Sequence, residues 1–169
     1  MRQHRGMTIA EQLPVQDSTI ILREARRDDV PAIIELLVDD ELGAGRDGAT
    51  TDFELRPYLD AFDAIDADPA HLLLVATDEG QVVATIQLSF IPGLARRGGL
   101  RAQIEAVRVR QDHRSSGLGA AMFAWAIDES RRRGCALVQL TTDKARIDAL
   151  RFYERLGFVA SHEGLKLSL

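Results

Sequence analysis

Residues 71–93 set two apolar runs, "HLLLVAT" and "VVATIQLSFIPG", on either side of "DEGQ". Apolar runs rich in β-branched residues around a short polar turn predict a β-hairpin. "LRAQIEAVRVR" (100–110), with Ile104, Val107 and Val109 as its apolar positions, predicts a third strand of this group. Upstream, "STIILREA" (18–25) predicts a short strand. "RDDVPAIIELLVDD" (27–40) and "DFELRPYLDAFDAIDADP" (52–69) space their apolar residues helically; Pro31 suits a first turn, while Pro57 either sits in one or breaks its helix. "ELGAGRDGATT" (41–51) between them is glycine-rich and polar, hence a loop.

The second half continues the alternation. A helix is predicted over 116–133, closed by three arginines that complement the negative end of its dipole and by Gly134 as a cap. "CALVQLTT" (135–142) predicts a strand, "KARIDALRFYERLG" (144–157) an amphipathic helix, and "FVASHEGLKLSL" (158–169) a closing strand or hairpin. The order is β-α-α-β-β-β-α-β-α-β. With 169 residues and no long linker, one domain over 18–169 is expected behind a polar, flexible leader, 1–17.

Composition narrows the function classes. The net charge of -5 argues against broad nucleic-acid or anionic-membrane binding, which rests on clustered positive charge. No window approaches a membrane span, and the first residues lack the apolar core of a secretory signal. The single cysteine, Cys135, permits no intramolecular disulfide, so a cytoplasmic location is expected. It opens an apolar run and reads as a buried small hydrophobe. The four histidines have no ligand-type spacing, so no metal is expected.

One stretch carries chemistry on its own terms. "RSSGLG" (114–119) lies between a predicted strand and a predicted helix. A helix N-terminus presents unpaired N–H groups and a partial positive charge, which attract phosphate. Glycine lets the backbone approach an anion closely, and Arg114 adds a cation with several donors. The stretch is neither a Walker A loop nor a dinucleotide-binding G-x-G-x-x-G. By itself, a flexible turn with an exposed arginine explains it equally well.

In context the chain resembles the GCN5-related N-acetyltransferase (GNAT) superfamily. Arg114-Ser115-Ser116-Gly117-Leu118-Gly119 matches its acetyl-CoA motif, Arg/Gln-x-x-Gly-x-Gly/Ala. "IEAVRV" upstream looks like its fourth strand and "ALRFYERLGF" (149–158) like its late signature around a tyrosine. The resemblance implies an α/β acyl-CoA N-acyltransferase fold, a mixed central sheet with flanking helices. It implies acetyl-CoA as cosubstrate, held by Val107 and Val109 through their backbone and by residues 114–119 around the pyrophosphate. It also implies direct attack of a primary amine, with Tyr153 as general acid. Glu105 is the candidate base, the N–H of Val107 a candidate oxyanion donor. Arg146 stands where many members carry an asparagine and reads as a solvated first-turn residue or a contact to a CoA phosphate.

The acceptor is left open between two charged clusters. Asp39, Asp40, Glu41, Asp47 and Asp52 would favour a cationic amine; Arg96, Arg97 and Arg101 would bind a carboxylate or phosphonate on a small amino compound. Solvated loops, the commoner fate of charge runs, also explain both. A small-molecule acceptor is expected, with a protein N-terminal acetyltransferase or a non-catalytic acyl-CoA sensor as alternatives. A homodimer is expected from family habit and the apolar "LKLSL" end. His113, Met122, Phe123 and Trp125 are read as bystanders: the histidine solvated, the other three core.

Overall fold

The computed structural model describes residues 9–15, 19–39, 47–48 and 51–168. Among them six strands form one sheet in sequence order: β1 (Ala10–Leu13), β2 (Ile20–Glu24), β3 (His71–Asp78), β4 (Gln81–Ile91), β5 (Arg101–Val109) and β6 (Leu137–Leu140). Every neighbouring pair is antiparallel except β5 and β6, which run parallel. This is the mixed sheet expected for the fold. The β3–β4 hairpin closes at Glu79 and Gly80, both left-handed (φ 46° and 83°), the backbone that a two-residue hairpin turn requires.

Side-chain alternation assigns the two faces. Leu74 and Ala76 belong to one apolar cluster and Val75 to the other. On the Val75 side lie α1 (Val30–Val38), through Val30, Ile33 and Ile34, and α2 (Asp52–Ala67), through Phe62. A reciprocal capping box between Thr51 and Glu54 starts α2, which runs on through Pro57 instead of breaking there. On the opposite face α4 (Leu118–Arg132) buries Leu118, Met122, Phe123, Trp125 and Ala126 against the sheet. The short α3 (Ala95–Gly98) is a single turn between β4 and β5, and α5 (Ile147–Arg155) follows β6. No helix among the described residues is long and apolar enough to cross a membrane.

Two expectations need correction. Ala10–Leu13, inside the expected leader, pairs with β2 as an edge strand, and Leu13 is buried. Residues 1–8 and 16–18 lie outside the described residues, as does most of the loop at 41–51. At the other end, 158–168 forms neither a strand nor a hairpin. Phe158 packs against the core, but the later apolar positions Val159, Leu165 and Leu167 are exposed.

Candidate active site

The glycine loop leads from β5 into α4. Gly117 is the helix N-cap and holds φ at +89°, a left-handed conformation that side chains with a Cβ rarely adopt. A Cβ there would project into open space, so the ground above the helix start is clear. At Gly119 a Cβ would meet Phe152 at 3.7 Å and Val109 at 3.9 Å, ordinary contact that leaves little room for anything larger. Ser116 ties the turn together: its Oγ donates to the His113 carbonyl at 2.7 Å and accepts from the Leu118 N–H at 3.3 Å. Ser115 is itself left-handed, at φ 65°. Arg114 crosses back over the strand end. Its Nε donates to the Val109 carbonyl at 2.9 Å, and its Nη2 donates to the carboxylate and the carbonyl of Asp39 at 2.9 and 3.1 Å. An open helix N-terminus with a guanidinium at its mouth is chemically suited to a diphosphate.

Beside the loop the sheet opens. β6 accompanies β5 only from Arg101 to Ile104. Beyond Ile104 no strand among the described residues pairs with that edge of β5. The carbonyls of Val107 and Val109 accept instead from arginine side chains, Val107 from Arg108 Nη1 at 2.8 Å and Val109 from Arg114. Both valine side chains pack against the core, so core packing and backbone exposure coexist at these positions.

α5 brings Tyr153 to this region. Its half-buried ring packs against Phe123 and Phe152 (centroids 5.5 Å apart in each case) and Phe158 (6.2 Å). The hydroxyl makes no hydrogen bond to another described residue. Burial raises the phenol pKa above its usual value, while the nearby Arg146 and Arg108 charges pull the other way. The net direction keeps the proton on at neutral pH, as a general acid requires.

Glu105 is exposed on β5, one residue before an irregularity. Ala106 has φ 52°, and the register shifts there: Glu105 faces Gln87, whereas Arg108 faces Thr85. This is a β-bulge, which inserts an extra residue into one strand. In a regular strand, residues three apart project to opposite faces. Because Thr85 and Gln87 share a face of β4, the bulge puts Glu105 and Arg108 on one face of the sheet, the α1 side. Arg108 was not singled out from the sequence. The sequence signal is the spacing of Ile104 and Val107, three apart and both apolar, which breaks regular alternation; in the structure both pack into the same core cluster.

Other expected residues stand apart. Arg96 and Arg97 form the left-handed turn of α3 (φ 56° and 59°) and are exposed. Arg101 begins β5, six residues from Val107, which is about 20 Å of strand. The three arginines therefore cluster at the end of β5 away from the opening. In the acidic cluster, Asp39 pairs with Arg114, Asp47 accepts from the Tyr58 hydroxyl at 3.4 Å, and Asp52 opens α2. Asp40 and Glu41 lie outside the described residues.

His113 corrects an expectation. It is not solvated: its side chain is 16% exposed and clamped between Asp78 (2.9 Å) and Asp112 (2.7 Å). Those hydrogen bonds raise its pKa and favour the charged ring. The histidine thus pins the approach to the glycine loop onto the β3–β4 hairpin. Met122, Phe123 and Trp125 are buried, as expected. Cys135 is only partly buried and packs at the margin of the core. Among the described residues no group of three or more His, Cys, Asp or Glu side chains is placed to hold a metal ion.

Comparison with known proteins places this geometry. The model of the acetyltransferase (GNAT) family matches residues 30–158. The chain is 32% identical over 111 residues to the aminoalkylphosphonate N-acetyltransferase of Salmonella typhimurium, covering 66% of this chain and 71% of that one. It is 34% identical over 90 residues to the glucosamine 6-phosphate N-acetyltransferase of Trypanosoma brucei brucei, covering 53% of this chain and 59% of that one. Among solved structures, a transcriptional regulator from Bacillus halodurans C-125 superposes with a TM-score of 0.84 at 43% identity, covering 89% of this chain and 99% of that one.

Proposed function

The chain belongs to the acetyltransferase (GNAT) family and is an N-acetyltransferase; from that premise we propose that it moves an acetyl group from acetyl-CoA to the primary amine of a small molecule that also bears a phosphorus oxyanion. Two curated relatives act, by name, on acceptors that pair an amine with a phosphonate or phosphate. The observation that carries the cosubstrate reading is the open edge of β5 beyond Ile104, lying against the cleared head of α4.

In this reading acetyl-CoA, when bound, supplies an activated acetyl group as a thioester. The first-turn N–H groups of α4 and the guanidinium of Arg114 hold the pyrophosphate. The backbone of Val107 and Val109 takes the pantetheine arm in the manner of a missing strand. Arg108 and Arg114 leave those carbonyls when the arm arrives. The N–H of Val107 polarises the carbonyl to be attacked. Glu105 accepts the ammonium proton, directly or through water, and Tyr153 donates its proton to the departing sulfur. The likeness to a chain named a transcriptional regulator favours a second reading, an acyl-CoA sensor on the same fold. Such a sensor would use Arg114, Gly117 and Gly119 but have no need of Glu105 or Tyr153.

An acceptor screen that follows free CoA tests this. Short aminoalkylphosphonates, amino-sugar phosphates, neutral alkylamines, polyamines and peptides are compared at fixed acetyl-CoA. Release highest with the phosphorus-bearing amines supports the proposal. Release with peptides alone replaces it with an N-terminal acetyltransferase, and acetyl-CoA binding without release replaces it with the sensor.

A further inference from the structure

We propose that His113 is a positioning residue for acetyl-CoA: its imidazolium, clamped between Asp112 and Asp78, holds the loop 114–119 in the shape that receives the diphosphate, so the grip on the cosubstrate loosens when the ring loses its proton. The inference rests on the reading that this loop receives the diphosphate, and it adds a residue that the motif does not contain. Nδ1 lies 2.7 Å from Asp112 Oδ1, and Nε2 lies 2.9 Å from Asp78 Oδ2. An ionised carboxylate only accepts hydrogen bonds, so the two contacts need a proton on both ring nitrogens. The neutral ring has one N–H. Whichever nitrogen keeps it, one carboxylate then faces a lone pair. The side chain is only 16% exposed, so solvent screens these contacts far less than at an open surface.

The clamp is coupled to the loop through the same residue. The His113 carbonyl accepts from Ser116 Oγ at 2.7 Å, and that oxygen accepts from the N–H of Leu118, the first residue of α4, at 3.3 Å. Between them Ser115 is left-handed, a conformation that surrounding contacts must enforce in a residue with a Cβ. Asp78 ends β3 beside the hairpin turn, so the ring moors the loop to a part of the sheet 35 residues away. Arg110, just past β5, holds the other side of Asp112 through Nε and Nη2 at 2.8 and 3.0 Å. The charged groups acting on the ring are thus Asp112 on its own turn, Asp78 from β3 and Arg110. The hydrogen bonds to the two carboxylates outweigh burial and the arginine and raise the pKa of the ring. The charged clamp is therefore complete below the ordinary histidine value of about 6.5 and is lost as pH climbs through the higher folded value. Arg114, the next residue, turns away to Asp39 and the Val109 carbonyl. A diphosphate at the loop adds negative charge near the ring, so binding and protonation favour each other.

Calorimetry of acetyl-CoA binding to the full chain, at about pH 6 and about pH 9, tests this in wild type, His113→Gln and His113→Arg. The cosubstrate's own phosphate titrates near pH ~6, so the quantity read is the difference between proteins at each pH. Wild type is expected to bind about fivefold or more tighter than His113→Gln at the lower pH, the two converging to within about twofold at the higher. His113→Arg, a permanent cation, should keep most of the wild-type advantage at both. On wild type alone, NMR should find the His113 titration midpoint raised by about 0.7 unit when acetyl-CoA is bound, the same fivefold read from the other side. Equal affinities of wild type and His113→Gln at the lower pH overturn the inference. So does a difference that persists undiminished at the higher pH, which would mark a purely structural role. A midpoint that acetyl-CoA leaves unmoved overturns it too. Gly117→Asp and Gly117→Asn, measured alongside, show which claim has failed. If they bind equally, the loop is not the diphosphate site and the inference falls with that reading. If the aspartate variant binds more weakly while wild type and His113→Gln share one pH profile, this inference alone falls.

Discussion

Arg114 and Asp39, 75 residues apart, are joined by two contacts from one nitrogen: Nη2 of the arginine meets both the carboxylate and the carbonyl oxygen of the aspartate. The pair bridges the C-terminal end of α1 and the glycine loop. It also means that the cation assigned to the cosubstrate's pyrophosphate is already engaged by a carboxylate. The side chains are 47% and 41% exposed, so the ion pair is weak and easily exchanged. Asp39→Asn should therefore tighten acetyl-CoA binding by up to about fivefold, the worth of an exposed pair. Calorimetry at low salt is the measurement. Weaker binding would show instead that Asp39 positions the guanidinium for its anion.

Gly117 separates charge from conformation. Its φ of +89° is one that asparagine and aspartate tolerate better than most residues, and open space lies above it. Gly117→Asn and Gly117→Asp should fold alike and differ in one formal charge at the head of α4. The aspartate variant should bind acetyl-CoA about tenfold or more weaker than the asparagine variant, since a carboxylate competes for the same N–H groups. Equal affinities would move the pyrophosphate elsewhere.

Tyr153→Phe removes a hydroxyl that makes no hydrogen bond to another described residue and keeps the ring among Phe123, Phe152 and Phe158. Stability should change by less than about 1 kcal/mol. Turnover should fall by on the order of 10²-fold or more, the usual contribution of general acid catalysis, with acetyl-CoA affinity nearly constant. Full activity in this variant would leave thiolate protonation to water and make the ring a packing element.

The His113 clamp gives stability a pH signature. The folded pKa of His113 is raised by the Asp112 and Asp78 carboxylates against the opposing Arg110 charge. A raised histidine stabilises the fold fully below its unfolded value, about 6.5, and loses that contribution as pH climbs through the folded value. Asp112 has its pKa lowered by Arg110 and His113, so its contribution is present above the ordinary carboxylate range and fades only in acid. The melting temperature of wild type should exceed that of His113→Gln most between about pH 4 and 6.5, and the gap should narrow above it. A gap independent of pH would mean that the ring acts by shape alone.

The exposed end of the chain tests the expected homodimer. Leu165 and Leu167 are 94% and 87% exposed, and Val159 is 82% exposed. If a second copy covers them, Leu165→Lys with Leu167→Lys should shift sedimentation from dimer to monomer at micromolar concentration. A wild-type monomer under the same conditions removes the expectation and leaves the chemistry untouched.

Local pattern made much of this protein legible. The β3–β4 hairpin follows from two apolar runs around a glycine turn, and α4 from an apolar stripe opening on Gly117 and ending near "RRRG". These depend on neighbours in sequence, where backbone preference and apolar periodicity act directly. The loop 114–119 and Tyr153 could be singled out through the family resemblance, because the motifs that carry it lie within single stretches of chain.

What the sequence could not decide depends on contacts across the sheet. Whether 10–13 and 158–168 become strands is set by pairing across the sheet; 10–13 pairs with β2, whereas Val159, Leu165 and Leu167 in the second segment stay exposed. His113 looked solvated because Asp78, its partner, is 35 residues away. Arg101 seemed next to the chemistry because it shares a strand with it, yet a strand rises about 3.3 Å per residue and carries it to the far end. The position of Arg108 beside Glu105 is the clearest case. A one-residue register shift reverses which side chains share a face, and that shift is settled only when β5 lies down against β4.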